Sequence, residues 1–415
     1  MEATQMPDGK KIDIGLLQKL LDHFQGSVLG RLVAKIDPRV LNDLRELIRL
    51  MEQRDPRIML IGRRGAGKSS LINAILGAPA CPTGSVTAGN QECRWEVVEA
   101  GGKRFRVLDT KGAGQGDDPA GPDRSALALV KEQIRAECPD IILFVCKAKE
   151  VDANIQPDLQ FLGEVMQFAR SQYSVGACHL VGVITQVDEL DPAHVSTPPF
   201  DHPVKRGHIE KAAAHLARLL ELHYPFARQD SILIRPVCSY LYFHEGKIEC
   251  DRRWQIVELV KEILGLLPEP AKLRMLKVGQ FKDIQTSLAG RIVNTFSVVA
   301  GLVGAEPIPF ADLPILTSLQ VTMIAMIQAV AGREADLKAA KEFLVATGID
   351  LTSAFTLREV ARALIKLWPT GGNVISGTIA GTFTKILGTA ATKFFIGGDD
   401  LAVVRDYLTT NLPRS

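Results

Sequence analysis

The chain has no excess charge of either sign. Lys and Arg number 49, Asp and Glu 47, for a net of +2. A bulk electrostatic grip on nucleic acid is therefore not indicated, because that footprint needs a basic domain or stripe. Cysteines are few and scattered (Cys81, Cys93, Cys138, Cys146, Cys178, Cys238, Cys250), odd in number, and no two form a CxxC. This argues against a disulfide scaffold and against a thiolate zinc site. His194 and His202 have no partner at ligand spacing and read as solvated loop residues. The opening MEATQMPDGKKIDIG lacks an apolar h-region, so no secretory leader is expected. The chain reads as reduced, intracellular and cytoplasmic. No long-period repeat or low-complexity tract stands out.

What remains is an ordinary globular composition. Hydrophobic residues make up 46% and charged residues 23% of 415 positions, which excludes a disordered chain and allows two or three domains. Residues 1–54 carry helix-spaced apolar positions, among them Leu16, Leu17, Leu20, Leu21 and Phe24, then Leu41, Leu44, Leu47, Ile48 and Met51. Over 55–267 the pattern changes. Short apolar runs at 58–61, 94–99, 105–108, 141–145, 180–184 and 232–237 alternate with helical patterns near 124–137, 156–170, 207–223 and 253–266. Such alternation predicts an α/β unit with a mostly parallel sheet. The gap between the second and third runs is short enough for a hairpin, so one antiparallel pairing is expected there. Pro268 and Pro270 mark a boundary. From 268 to 415 no strand pattern appears, and helices are expected at 280–304, 312–332, 334–346, 356–367, 374–396 and 400–410.

The first strand of the α/β region runs into Gly62-Arg63-Arg64-Gly65-Ala66-Gly67-Lys68-Ser69, a GxxxxGK[ST] loop that opens a helix through Ser70. Glycines at this spacing let backbone amides turn toward phosphate oxygens, and the helix N-terminus adds its positive end. Lys68 is placed to reach β and γ phosphates, and the Ser69 hydroxyl to ligate Mg²⁺. Asp109-Thr110-Lys111-Gly112 ends the third strand, where the carboxylate can hold the metal through water and the glycine amide can face a γ-phosphate. Thr185-Gln186-Val187-Asp188 ends the fifth, and a carboxylate there can accept two N–H groups from a guanine edge, which adenine does not offer. Cys238-Ser239 ends the sixth, where backbone amides are placed to meet the guanine oxygen. All of these lie at carboxyl ends of strands, where open α/β sheets bind ligands.

The succession GRRGAGKSSLINAILG, DTKG, TQVD and CS resembles the Era-like branch of translation-factor-related GTPases, over residues ~55–267. The segment GAEPIPFADLPILTSLQVTMIAMIQAVAG is similar to the hydrophobic helical domain that follows such domains in a poorly characterised bacterial group. The layout, helices before the GTPase domain and more after it, also resembles the immunity-related GTPases. The resemblance implies a P-loop GTPase domain joined to an all-α domain built from the C-terminal region with the N-terminal helices. It also implies Mg²⁺ as cofactor, GTP and GDP as substrate and product, and a switch I threonine that ligates the metal only in the triphosphate state. That threonine is Thr87, with Thr83 the alternative. Three positions depart from the family: Gln186 stands where a lysine normally covers the base, Lys111 replaces a proline, and Ala113 stands where Ras-like proteins have their water-positioning glutamine, with Gln115 nearby. Arg63 or Arg64 would supply transition-state charge in cis or across a homodimer. The loop 113–125 is placed as switch II and 189–206 as a second long loop.

Two stretches without charge, 313–331 and 367–384, meet the length rule for a membrane span. Thr317, Ser318, Gln320, Thr322 and Gln328 in the first, and Pro369, Gly371, Gly372, Asn373 and Ser376 in the second, make insertion costly and favour a buried bundle. Gly377, Gly381 and Gly388 offer a small-residue face for close helix packing. Arg358, Arg362 and Lys366, followed by Trp368, form a cationic stripe suited to a basic surface or to peripheral contact with anionic lipid. The leading expectation is a slowly hydrolysing, GTP-dependent switch coupled to a helical effector domain. The alternative is a membrane-associated assembly protein whose oligomerisation nucleotide controls. A P-loop ATPase ranks below both, because ILFVCKAKE offers no Asp at its strand end.

Overall fold

A computed structural model describes residues 39–81, 93–110, 124–152, 155–174, 176–224, 232–277, 281–305, 312–347 and 377–411, together with 18 and 22. The chain forms two compact units, Arg54–Gly279 and a discontinuous one made of Met1–Gln53 with Gln280–Ser415. The first has an α/β order and the second is helical.

In the α/β unit the order is β1 (Arg57–Ile61), α2 (Lys68–Leu76), β2 (Trp95–Ala100), β3 (Lys103–Asp109), α3 (Arg124–Ala136), β4 (Ile141–Lys147), α4 (Gln156–Gln172), β5 (His179–Thr185), α5 (Pro203–His223) and β6 (Leu233–Pro236). The helix α1 (Arg39–Met51) precedes them in the helical unit. Six strands line up as β2-β3-β1-β4-β5-β6. The β2–β3 pair is antiparallel and the other pairings are parallel. β1, β4 and β5 are buried along nearly their whole length. Their near-continuous apolar runs fit strands that are covered on both faces. Phe144, Leu159, Leu162, Met166, Leu216 and Leu220 belong to the core that forms against the sheet. Because the strands from β3 to β6 run parallel, Ile61, Asp109, Lys147, Thr185 and Pro236 all end on one edge.

Two elements lie outside the sequence expectations. Leu241–His244 and Lys247–Asp251 form an antiparallel hairpin, β7–β8, whose turn has positive φ at Glu245 (50°) and Gly246 (75°). After α6 (Ile256–Leu266), the prolines expected to mark a boundary instead start α7 (Glu269–Leu276), with Pro268 as N-cap and Pro270 in the first turn. Proline suits a helix start because its fixed φ is already helical and its missing N–H would be unbonded there anyway. α7 packs against β3 and α6, and the α/β unit runs on to Gly279.

The helical unit contains α1, α8 (Lys282–Ala305), α9 (Asp312–Val330), α10 (Leu337–Ala346), α11 (Gly377–Thr392), a π turn (Lys393–Gly397) and α12 (Leu401–Asn411). α10 begins at Leu337 and not at 334, because Asp336 caps it by accepting from the Lys338 amide at 2.9 Å. α1 buries Val40, Leu44, Leu47, Ile48 and Leu50 and packs on α8, with Arg291 3.3 Å from Glu46. α11 lies close along α8. A Cβ on Gly381 would come to 2.9 Å from Ser297 O, and one on Gly388 to 2.6 Å from Val293 Cγ2. α9 is buried from Leu316 to Val330 almost throughout, polar residues included. Gln320 Nε2 donates to Thr384 Oγ1 at 3.2 Å, and Gln285 Nε2 to Val330 O at 2.9 Å. Among the described residues, the helix long and apolar enough to cross a membrane is Lys282–Val303, with a mean hydropathy of 1.3 and 44% of it buried inside the protein. Leu316–Val330 is a shorter apolar helix among the described residues, and 367–376 lies outside them.

Candidate functional site

The phosphate-type loop is shaped by β1, which runs into it, and by the neighbouring strand β4. After Ile61 the chain leaves the sheet over β4, and a Cβ on Gly62 would overlap the Val145 carbonyl oxygen. The loop tightens through Ala66 N–H donating to Arg63 O at 3.1 Å. It ends at Gly67, the N-cap of α2, held at φ 85° with no side-chain cap. That left-handed conformation is one that glycine adopts without steric cost. The first helical bond is Leu71 N–H to Gly67 O at 2.8 Å, so the amides that open α2 have no acceptor within the helix. Such an end favours an anion.

Lys68 is 7% exposed. Its ammonium donates to Gly62 O at 2.8 Å and Arg63 O at 3.1 Å, and lies 3.9 Å from Asp109 Oδ1. The structure therefore brings Lys68 and Asp109 together at the end of β3. Thr110 closes that corner with its hydroxyl on Leu60 O at 2.8 Å. Ser69 stands in the first turn of α2 and is half-buried. A hydroxyl and a carboxylate are hard oxygen donors of the kind Mg²⁺ takes, so this donor set fits the metal.

Arg63 and Arg64 differ in placement. Arg63 Nε donates to Asp158 Oδ2 at 2.6 Å, on the first turn of α4, whereas Arg64 is exposed. Asp158 is 8% exposed, and burial raises its pKa more than Arg63 lowers it. Glu150 and Cys146 line the same small cleft with Gly62, Arg63 and Ala66.

The end of β5 is tied to the phosphate loop. Thr185 Oγ1 donates to Ala66 O at 2.7 Å and lies 3.2 Å from Cys146 O. Gln186 takes φ 56° and sends Nε2 to Gly65 O at 3.2 Å. The 3-10 turn Val187–Glu189 then presents Asp188 beside Cys238 at the end of β6. Burial, together with the Asp188 carboxylate beside it, pushes the Cys238 thiol up to about 12. The Cys238 amide was expected to face a ligand oxygen. It donates instead to Trp254 O at 3.2 Å, in an isolated bridge that leads out of the β7–β8 hairpin. Of the Cys238-Ser239 pair, that leaves Ser239 for the role.

Lys205 was missed in the sequence, where a lysine near the end of the long loop 189–206 reads as solvated. It is fully buried, and its ammonium donates to Asp188 O at 2.6 Å and to Leu190 O. The loop 189–206 is thus anchored at its end. His194 and His202 in it are exposed, with ring centroids 6.0 Å apart, and no metal cluster occurs among the described residues. Thr83, Thr87, Lys111, Gly112, Ala113 and Gln115 lie outside the described residues, as do Arg358, Arg362, Lys366 and Trp368.

A parallel sheet whose first strand passes through a glycine loop into a helix, with a lysine and a strand-end aspartate converging there, defines a P-loop nucleotide-binding domain. Residues 57–175 match the model of a family described as 50S ribosome-binding GTPase. The domain is a P-loop GTPase: it binds guanine nucleotide and hydrolyses GTP. GTPase Der of Leifsonia xyli is 26% identical over 232 residues, 53% of this chain and 47% of Der. Uncharacterized protein YfjP of Escherichia coli is 23% identical over 309 residues, 74% of this chain and 95% of that relative. Among solved structures, Toc33 from Arabidopsis thaliana with Mg²⁺ and GMPPNP gives 17% identity and a TM-score of 0.37 over 54% of this chain and 92% of Toc33. Era bound to MgGDPNP and a 16S ribosomal RNA segment gives 19% identity and a TM-score of 0.31 over 60% and 68%.

Proposed function

We propose that the chain is a guanine-nucleotide switch, in which a slowly hydrolysing GTPase domain controls the state of the helical unit. The observation that carries this reading is the common edge on which Gly62–Ser69, Asp109 and Asp188 meet, each at the end of its own strand. Lys68 would exchange its bonds to Gly62 O and Arg63 O for phosphate oxygens, and the amides opening α2 would face the same group. Ser69 would hold Mg²⁺ directly and Asp109 through water, with Thr87 joining in the triphosphate state. The metal supplies neutralisation of charge on the β and γ phosphates. The Asp188 carboxylate would accept from the guanine N1–H and 2-amino group. The Gly112 amide would face the γ-phosphate. Arg64, exposed within the loop, would contact the transition state in trans.

Calorimetry with Mg²⁺ tests the reading. GDP and GTP should bind, ATP should compete poorly, and Lys68→Ala should lose binding. Asp188→Asn should transfer preference to xanthine nucleotides, whose 2-oxo group needs a donor. Equal displacement by ATP refutes the guanine assignment. Light scattering with GDP and then a GTP analogue tests self-association, and dimerisation with the analogue supports the trans role of Arg64. A second reading, peripheral membrane assembly, draws on the apolar length of Lys282–Val303. Absence of vesicle co-sedimentation in both nucleotide states removes it.

A further inference from the structure

We propose that Lys205 is the positioning residue for base selection, its buried ammonium holding the turn that aims the Asp188 carboxylate. This rests on the guanine reading above. The turn has little regular structure of its own: Gln186 enters it in a left-handed conformation, Val187–Glu189 make one 3-10 turn, and Leu190 is already extended. Two carbonyls, that of Asp188 within the turn and that of Leu190 just after it, both accept from the Lys205 ammonium. It also sits over the Phe200 ring, 5.4 Å from the centroid. Phe200 is itself buried and meets Trp254 edge-on at 5.3 Å. Trp254 in turn exchanges two backbone bonds with Cys238, whose thiol touches Asp188. The base-reading carboxylate is therefore held from its own carbonyl by Lys205 and from its side chain by Cys238. Gln186 cannot share the task, because its amide reaches Gly65 O in the other direction.

The chemistry of burial argues that the role is geometric. A fully buried ammonium loses its hydration, and burial lowers the Lys205 pKa against the opposing pull of Asp188 and Asp191. A methionine would fill similar volume without that penalty, and such replacements are often neutral or stabilising. A lysine therefore contributes here what an apolar residue cannot, namely the spacing of two carbonyls on a turn that must hold a carboxylate against two ligand donors.

The test uses the full chain with Mg²⁺ and two probes, GDP and IDP. Hypoxanthine keeps N1–H but lacks the 2-amino group, so the ratio of the two affinities reads the alignment of the Asp188 carboxylate. Hydrogen bonds to a charged group predict a wild-type preference for GDP of about tenfold or more. Lys205→Met is expected to cut that ratio by at least about fivefold while IDP affinity changes by less than about threefold. A merely structural lysine would weaken both ligands equally and leave the ratio intact, and that result overturns the inference. Should Lys205→Met fail to fold, Phe200→Leu loosens the ammonium without removing it. In a folded Phe200→Leu protein, a lowered GDP to IDP ratio supports the assignment and an unchanged one overturns it. Wild-type protein that does not prefer GDP to ADP instead fails the guanine reading, a distinct outcome.

Discussion

Gly62 is the residue with the least freedom to change, since any Cβ there meets the Val145 backbone carbonyl, which β4 fixes in the sheet. Gly62→Ala should therefore cost about 1–3 kcal/mol of stability, the usual range for overpacking, and abolish GDP binding. Thermal denaturation and calorimetry check both. A second prediction concerns Asp158. Burial raises its carboxyl from the ordinary 3.8, outweighing the Arg63 guanidinium. A carboxyl raised in the folded state contributes stability below its unfolded value, and that contribution is lost as pH rises through the folded value. Asparagine does not titrate. The melting temperature of Asp158→Asn minus that of wild type should thus climb from about pH 3 until the folded pKa is passed, then level off. A difference that falls with pH over that window contradicts the assigned environment. At this scale the phosphate loop was legible because glycine spacing and a following lysine are chemical demands written directly in residue types. Asp158 and Lys205 were not, because nothing local distinguishes a buried charge from a solvated one. Their meaning comes from Arg63, 95 positions away, and from Asp188, 17 positions away.

The helices were legible as elements, while the reasons they pack were only partly so. The small-residue face of α11 was readable at Gly381 and Gly388, but which neighbour it meets was not, since α8 lies far away in sequence. That packing gives opposite signs for two glycine substitutions. Gly381→Ala forces a Cβ to within 2.9 Å of Ser297 O, a backbone atom that cannot rotate away, and should destabilise by about 1–3 kcal/mol. Gly290, within α8, has nothing within 4 Å of where its Cβ would lie, so Gly290→Ala should stabilise by about 0.5–1 kcal/mol through helix propensity. Denaturant unfolding of the two variants checks the pair, and like signs would sink the packing account. The β7–β8 hairpin escaped the sequence reading for a physical reason. Its turn places Glu245 at positive φ, where Asn or Asp is the usual signal before glycine, and its strands are short, with β8 exposed at every position but Cys250. The prolines at 268 and 270 were read as an ending when they serve as a beginning.

At the scale of the molecule, a unit continuous in sequence, Arg54–Gly279, interrupts one that is not. Helix α1 precedes the GTPase domain yet buries its apolar face in the helical unit that follows that domain, and its Glu46 meets Arg291 on α8. The arrangement separates two consequences of removing the N-terminal segment. A chain beginning at Arg54 keeps Asp140 bound to the Arg54 guanidinium at 2.7 Å and keeps every residue of the nucleotide edge. GDP affinity should stay within about twofold of wild type, since every residue assigned to the nucleotide edge remains in the unit that is kept. The same truncation removes Leu44, Leu47, Ile48 and Leu50 from the helical unit and leaves their apolar partners on α8 facing water. Contiguous exposed apolar surface drives association, so light scattering of the truncated chain should show self-association at concentrations where the full chain shows less. Preserved GDP binding together with self-association supports two units that fold on their own cores. Loss of GDP binding in a folded truncated chain would mean instead that α1 also supports the nucleotide edge, and the division at Gln53 would have to be redrawn.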